Sequence, residues 1–128
     1  MEHEAAMRQV EQLSRDFAAC SKMLAAIGDE TRQHLILEML KIGDCNGVRV
    51  GEITEKTNLS RPAVSHHLKI MKDAGLVKVR KEGTMNFYYF DPEMEELERL
   101  ANTLQMAVEI TRALPDRSGE NSIGEVIL

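Results

Sequence analysis

The stretch Val50–Ala74 constrains this chain more than any other, because it reads as two helices joined by a tight turn with the second helix presented outward. Ser60 is a good N-cap, since its hydroxyl can accept from a backbone N–H that the first helical turn leaves unpaired. Pro62 falls just inside the start, where a missing N–H costs nothing. Gly75 follows the last periodic residue, as a helix stop should. Val64, Leu68 and Met71 recur at helical spacing on one stripe. At about 100° per residue, Pro62, His66, Lys69 and Asp73 project the opposite way, with Arg61, Ser65 and Lys72 at the edge of that face. One face is apolar and packs on a core. The other offers hydrogen bonders and positive charge, which is what a helix laid in a DNA major groove needs.

The next segment supplies a partner for that helix. Leu76-Val77-Lys78-Val79-Arg80-Lys81-Glu82 alternates apolar and charged residues and suits a half-buried strand. Gly83-Thr84 makes a turn, and Met85-Asn86-Phe87-Tyr88-Tyr89-Phe90 suits the returning strand. The expected fold is mostly α with a small β-hairpin wing, a winged helix-turn-helix. Three pieces resemble the ArsR/SmtB-type bacterial repressors: Leu24-Ala25-Ala26-Ile27-Gly28-Asp29-Glu30-Thr31-Arg32, then Leu59 to Leu68, then Gly75-Leu76-Val77 with Arg80-Lys81-Glu82-Gly83. They occur in the family's order and spacing, and the resemblance covers roughly Phe17 to Val108. It implies a dimeric DNA-binding repressor whose first and last helices form the dimer interface.

Charge distribution supports a nucleic-acid partner although the chain as a whole is acidic, with a net charge of −5. From Arg61 to Lys81 six basic residues (Arg61, Lys69, Lys72, Lys78, Arg80, Lys81) stand against one acid, Asp73, so this segment carries +5 and the remainder −10. Charge confined to one element is an electrostatic footprint, and acidity elsewhere limits indiscriminate sticking. Arg61 is the leading residue for base readout, because its forked guanidinium can bind guanine bidentately. The resemblance places Ser65 and His66 against DNA as well. Lys69, Lys72, Arg80 and Lys81 read as phosphate contacts, with Pro62 and the wing-tip Thr84 completing the surface. His67 points to the edge of the apolar stripe and is assigned to helix packing.

A length of 128 residues makes one domain, expected over residues 1–114, with 115–128 as a mobile tail. From Glu4 to Ile27 the chain reads as a single helix, and Val10, Leu13, Phe17, Cys20, Leu24 and Ile27 form an a/d-like seam. Asp29 caps the following helix, which runs to about Ile42 with Leu35, Ile36, Met39, Leu40 and Ile42 as core. Val48-Arg49-Val50 suits a short strand against the wing. The last helix starts near Pro92, and its apolar face comprises Leu97, Leu100, Leu104, Ala107, Val108, Thr111 and Leu114. The expected homodimer interface therefore takes Val10, Leu13, Phe17 and Cys20 from the first helix and Leu100, Leu104 and Val108 from the last.

Other chemistries find little support. No apolar run approaches the ~20 residues of a membrane span, and Met1-Glu2-His3-Glu4 has no signal-peptide pattern. With two cysteines far apart, the expected compartment is a reducing cytoplasm. The family resemblance brings two metal-ligand sets, and both are vacant here. Arg49-Val50-Gly51 stands where a Cys-x-Cys would be, and Pro92–Leu114 contains no histidine or cysteine. No cofactor, metal or specific effector is assigned. His34 has no ligand neighbours and reads as structural or surface. Ser65-His66 has no orienting acid at workable spacing, and no nucleophile motif or phosphate loop occurs, so an enzyme is not expected. Two alternatives remain: a winged helix used for protein contact, and a thiol-based regulator. The latter would use Cys20, on the apolar seam, or Cys45, in the Gly43–Gly47 loop.

Overall fold

A computed structural model describes residues 2–42 and 47–115. The expected tail beyond Pro115 and the loop thiol Cys45 lie outside these residues. The elements run α1 (Glu2–Ala19), α2 (Ser21–Ile27), α3 (Glu30–Ile42), α4 (Val50–Glu55), α5 (Arg61–Asp73), β1 (Val77–Glu82), β2 (Met85–Phe90) and α6 (Met94–Arg112). This is the winged helix-turn-helix expected from the sequence.

The seam suggests one helix from Glu4 to Ile27, but the structure divides it in two. It breaks at Cys20, where φ −109° and ψ 16° leave the helical region. Backbone bonding continues through the kink, with Cys20 N–H donating to Asp16 O at 3.1 Å and Leu24 N–H to Cys20 O at 2.9 Å. The break turns Cys20, Met23 and Ala26 into the core, while α1 lies along α6. No Gly or Pro marks it, so tertiary burial outweighs local propensity here. The correction bears on the dimer surface. Cys20, at 2% exposure, and Leu100, at 5%, are covered by their own chain and leave nothing for a second copy to bury.

Asp29 caps α3 as expected, its Oδ2 accepting from Arg32 N–H at 3.0 Å. Leu35 and Met39 are buried and Ile36 and Ile42 half-buried, but Leu40, expected in the core, is 55% exposed. It lies about 140° round the helix from Leu35, too far for one face to bury both. The core centres on Leu35, Ile53, Val64, Leu68, Met71 and Leu76, all fully buried. Three of these form the inner stripe of α5, and at ~25 cal/mol per Å² each contributes about 1.5–3 kcal/mol by leaving water.

Helix α5 begins and ends as its sequence requires. Ser60 Oγ accepts from Ala63 N–H at 3.2 Å, with a proline in the first turn. At the far end Leu76 N–H donates to Met71 O at 2.9 Å and Gly75 N–H to Lys72 O at 3.0 Å. This Schellman closure needs a left-handed residue, and Gly75 supplies it with φ +82°. Glu93 N–H donates to Gly75 O at 2.9 Å and Asp91 N–H to Leu76 O at 3.1 Å, so the segment leading into α6 is tied to the same turn.

The wing is antiparallel, in register from Val77↔Phe90 to Glu82↔Met85, and turns at Gly83-Thr84 with Gly83 at φ +62°. Of the strand expected over Val48–Val50, only Val48 pairs. It exchanges two 2.8 Å backbone bonds with Tyr88. Arg49 is spent on the cap of α4, its N–H donating to Glu52 Oε1 at 3.1 Å, and Val50 is already helical. Helix α6 begins two residues later than Pro92 suggested. Its inner face holds Leu100 and Thr103, while Leu104 and Val108 are 46% and 40% exposed.

Candidate nucleic-acid interface

The outer face of α5 has the residues assigned to it from the sequence. Arg61, Pro62, Ser65, His66, Lys69 and Lys72 are all exposed, while Val64, Leu68 and Met71 directly behind them are fully buried. A helix anchored by one stripe presents the other at a fixed height and rotation, which a groove-reading element requires. The structure adds detail that spacing could not give. Arg61 lies back over the start of α4: a Cβ built on Gly51 would stand 3.5 Å from its Nη1. Lys69 Nζ pairs with Asp73 Oδ2 at 3.1 Å, an exposed contact worth at most a few tenths of a kcal/mol.

The six basic residues of the Arg61–Lys81 segment divide into different environments. Lys78 sits at the base of the wing, 2.9 Å from Asp91 Oδ2 and 3.6 Å from Glu93 Oε1. The hydrogen bond to Asp91 holds its ammonium pKa above the usual lysine value. Its charge is neutralised locally by residues outside the segment, so +5 overstates what this surface offers. Arg80 stacks over the Phe87 ring at 4.7 Å and pairs with Glu82. Lys81 and Thr84 are exposed toward the wing tip.

His67 has the packing role expected of it, with a partner that the sequence did not reveal. Arg32 Nη1 lies 3.2 Å from His67 Nδ1, across thirty-five residues of chain. The same guanidinium donates through Nε to Ala26 O at 2.9 Å and through Nη2 to Ala25 O at 3.3 Å. A guanidinium can only donate, so Nδ1 carries a lone pair and the ring is the neutral Nε2–H tautomer. Burial pushes the pKa of His67 below the ordinary histidine value. Arg32 and His66 push the same way, and Asp29 opposes them. The only local sign of this cluster was the Asp29-x-x-Arg32 capping spacing.

The family model for bacterial regulatory proteins of the arsR family matches residues 29–79, from the cap of α3 into the wing. An HTH-type transcriptional regulator of Methanocaldococcus jannaschii is 40% identical over 90 residues, covering 69% of this chain and 97% of the relative. The chain belongs to the arsR family. The transcriptional repressor SdpR of Bacillus subtilis is 38% identical over 68 residues, covering 53% of this chain and 71% of that protein. Among solved structures, an ArsR-like transcriptional regulator from Rhodococcus sp. RHA1 superposes with a TM-score of 0.59 at 27% identity, covering 75% of this chain and 84% of that one.

Membership makes this arsR-family protein a transcriptional regulator, from a family of DNA-binding proteins rather than catalysts. It also gives the α5 surface its context, because the matched segment contains the whole helix-turn-helix. Among the described residues, no three His, Cys, Asp or Glu side chains converge as a metal site would require. No helix among them is long and apolar enough to cross a membrane.

Proposed function

We propose that this arsR-family regulator is a homodimeric repressor that acts in the cytoplasm on a near-palindromic operator. Each α5 enters a major groove, with half-sites about one helical turn apart, roughly 34 Å. Arg61, Ser65 and His66 face base edges. Lys69, Lys72, Arg80 and Lys81 hold phosphates, with Pro62 and Thr84 at the margins. The observation that carries this reading is the division of α5 into a fully buried stripe and an outer face of exposed hydrogen bonders and cations. Repression is favoured by the similarity to SdpR, itself a repressor.

Dimerisation is supported by apolar side chains left uncovered along the packed pair α1 and α6: Met7, Val10, Leu104 and Val108. Leu13 and Phe17 are half-buried and form the inner margin of that surface. Apolar patches of this kind mark interaction surfaces, and a second copy buries them by symmetry. Regulation is independent of the family's metal sets, because their positions hold Arg49-Val50-Gly51 and a histidine-free α6.

Selection of bound duplexes from a random pool, followed by titration at several salt concentrations, tests the reading. A two-fold symmetric consensus bound by a dimer is the expected result. Binding of all duplexes alike, or no binding to any of them, would overturn it.

A further inference from the structure

The Arg32–His67 contact joins the recognition helix to the corner between α2 and α3. On one side Arg32 is fixed by the carbonyls of Ala25 and Ala26, at 3.3 and 2.9 Å. On the other it donates to His67 Nδ1 at 3.2 Å, one residue from the exposed His66. Three charged or titratable groups act on the ring: Asp29 and Arg32 at the start of α3, and His66 on α5 itself, its ring centroid 5.7 Å away. Helix α2 contributes backbone carbonyls only to the cluster.

We propose that this pair is a proton-sensitive clamp: Arg32 is a positioning residue for operator binding, and protonation of His67 releases the recognition helix from it. The proposal rests on α5 being the DNA-reading helix. Its chemistry is simple. A neutral imidazole accepts the Arg32 N–H. An imidazolium has no lone pair, so protonation at Nδ1 sets two N–H donors and two positive charges against each other at this distance. The ring then turns away or the guanidinium lets go, and α5 loses a fixed point at mid-length.

The direction follows from linkage. Burial, Arg32 and His66 together outweigh Asp29 and favour the neutral ring in the folded protein. The clamp is therefore closed at and above neutral pH. It opens as pH falls below the ordinary histidine value of about 6.5 and through the lowered one. His66 works against this at the DNA surface, because its protonation there strengthens attraction to phosphate. The two effects must be separated.

Two measurements on the full chain do so. NMR titration of the free protein is expected to place His67 below the ordinary histidine value, and Arg32→Gln to move it up. For DNA, wild type is compared with His67→Asn, whose side-chain oxygen can accept from Arg32 but takes up no proton. His66 is present in both proteins and cancels in the ratio of their dissociation constants. The two should bind a selected operator alike near pH 7.5. Near pH 5.5 the wild type should be the weaker binder, with the ratio of the two dissociation constants rising as pH falls. A ratio that stays flat across this range, or a His67 titration unmoved by Arg32→Gln, would overturn the clamp while leaving DNA reading by α5 intact. Absence of sequence-preferring binding by the wild type at neutral pH would instead remove that reading and the operator-linked half of the proposal.

Discussion

Lys81 and Lys78 lie three residues apart on one strand, yet they should behave differently when replaced by alanine. Lys81 is exposed near the wing tip, whereas Lys78 is engaged by Asp91 and Glu93 at 2.9 and 3.6 Å. If Lys81 neutralises one phosphate per protomer, a dimer lacking it releases two fewer counterions. The slope of log affinity against log salt should then fall by about 1.8, at about 0.9 per charge. Over a fourfold change in salt, from about 50 to about 200 mM, that difference amounts to roughly a twelvefold change in the ratio of wild-type to variant affinity. Lys78→Ala should leave the slope where it was. The measurement is fluorescence anisotropy with a selected operator and a scrambled duplex at four or five salt concentrations. Lys81→Ala should weaken both duplexes by the same factor, because phosphate contacts position without specifying. Equal slopes for the two variants, or a Lys81→Ala loss confined to the operator, would refute this division of the wing.

Arg61→Ala is expected to relax preference at one base pair per half-site, a loss of about 1–3 kcal/mol of discrimination; binding-site selection with the variant checks it, and an unchanged consensus would remove Arg61 from base readout. Cys20, buried in the core, should resist timed alkylation until the protein unfolds, and mass spectrometry reads this directly; rapid modification of native protein would revive the thiol-sensor reading. Cys20→Ser should destabilise by about 1–3 kcal/mol if its hydroxyl finds no partner, and more than Cys20→Ala. Gly75→Ala forces a Cβ onto a left-handed residue and to 3.3 Å from Glu93 Cγ, so urea unfolding should show a loss of about 1–2 kcal/mol. Zinc, cadmium and arsenite at low micromolar levels should leave the operator complex intact in a gel-shift assay, and stoichiometric metal binding with release of DNA would contradict the vacant ligand positions.

The sequence was most informative where structure is set by near neighbours. Ser60, Pro62 and Gly75 mark the ends of α5 through capping, fixed φ and left-handed closure, all within a few residues. The alternating strand and its Gly83-Thr84 turn are equally local. The outer face of α5 follows from its inner stripe by rotation alone. Distant contacts were less legible. The kink at Cys20 depends on what α2 must cover rather than on any breaker, and Leu40 is exposed because Leu35 and Met39 already define the inward face of α3. Lys78 belongs to a basic run in the sequence, but in space Asp91 and Glu93, beyond the hairpin, pair with it. The Arg32–His67 bond spans two motifs that a linear reading treats separately.

The turn at Gly75-Leu76 has a mechanical consequence. Four backbone hydrogen bonds meet there: two close α5, and two bring in the strap that leads to α6. Because β1 starts at the next residue, recognition helix, wing and α6 share one rivet. A tilt of α6 is thus transmitted to α5 and the wing together, as a rotation of the whole head. In the proposed dimer the fit within a half-site is then preserved, and the quantity that changes is the span between two heads. The surface along α1 and α6 can therefore change in sequence without retuning the reader, because any turn of α6 reaches α5 and the wing through the same geometric variable.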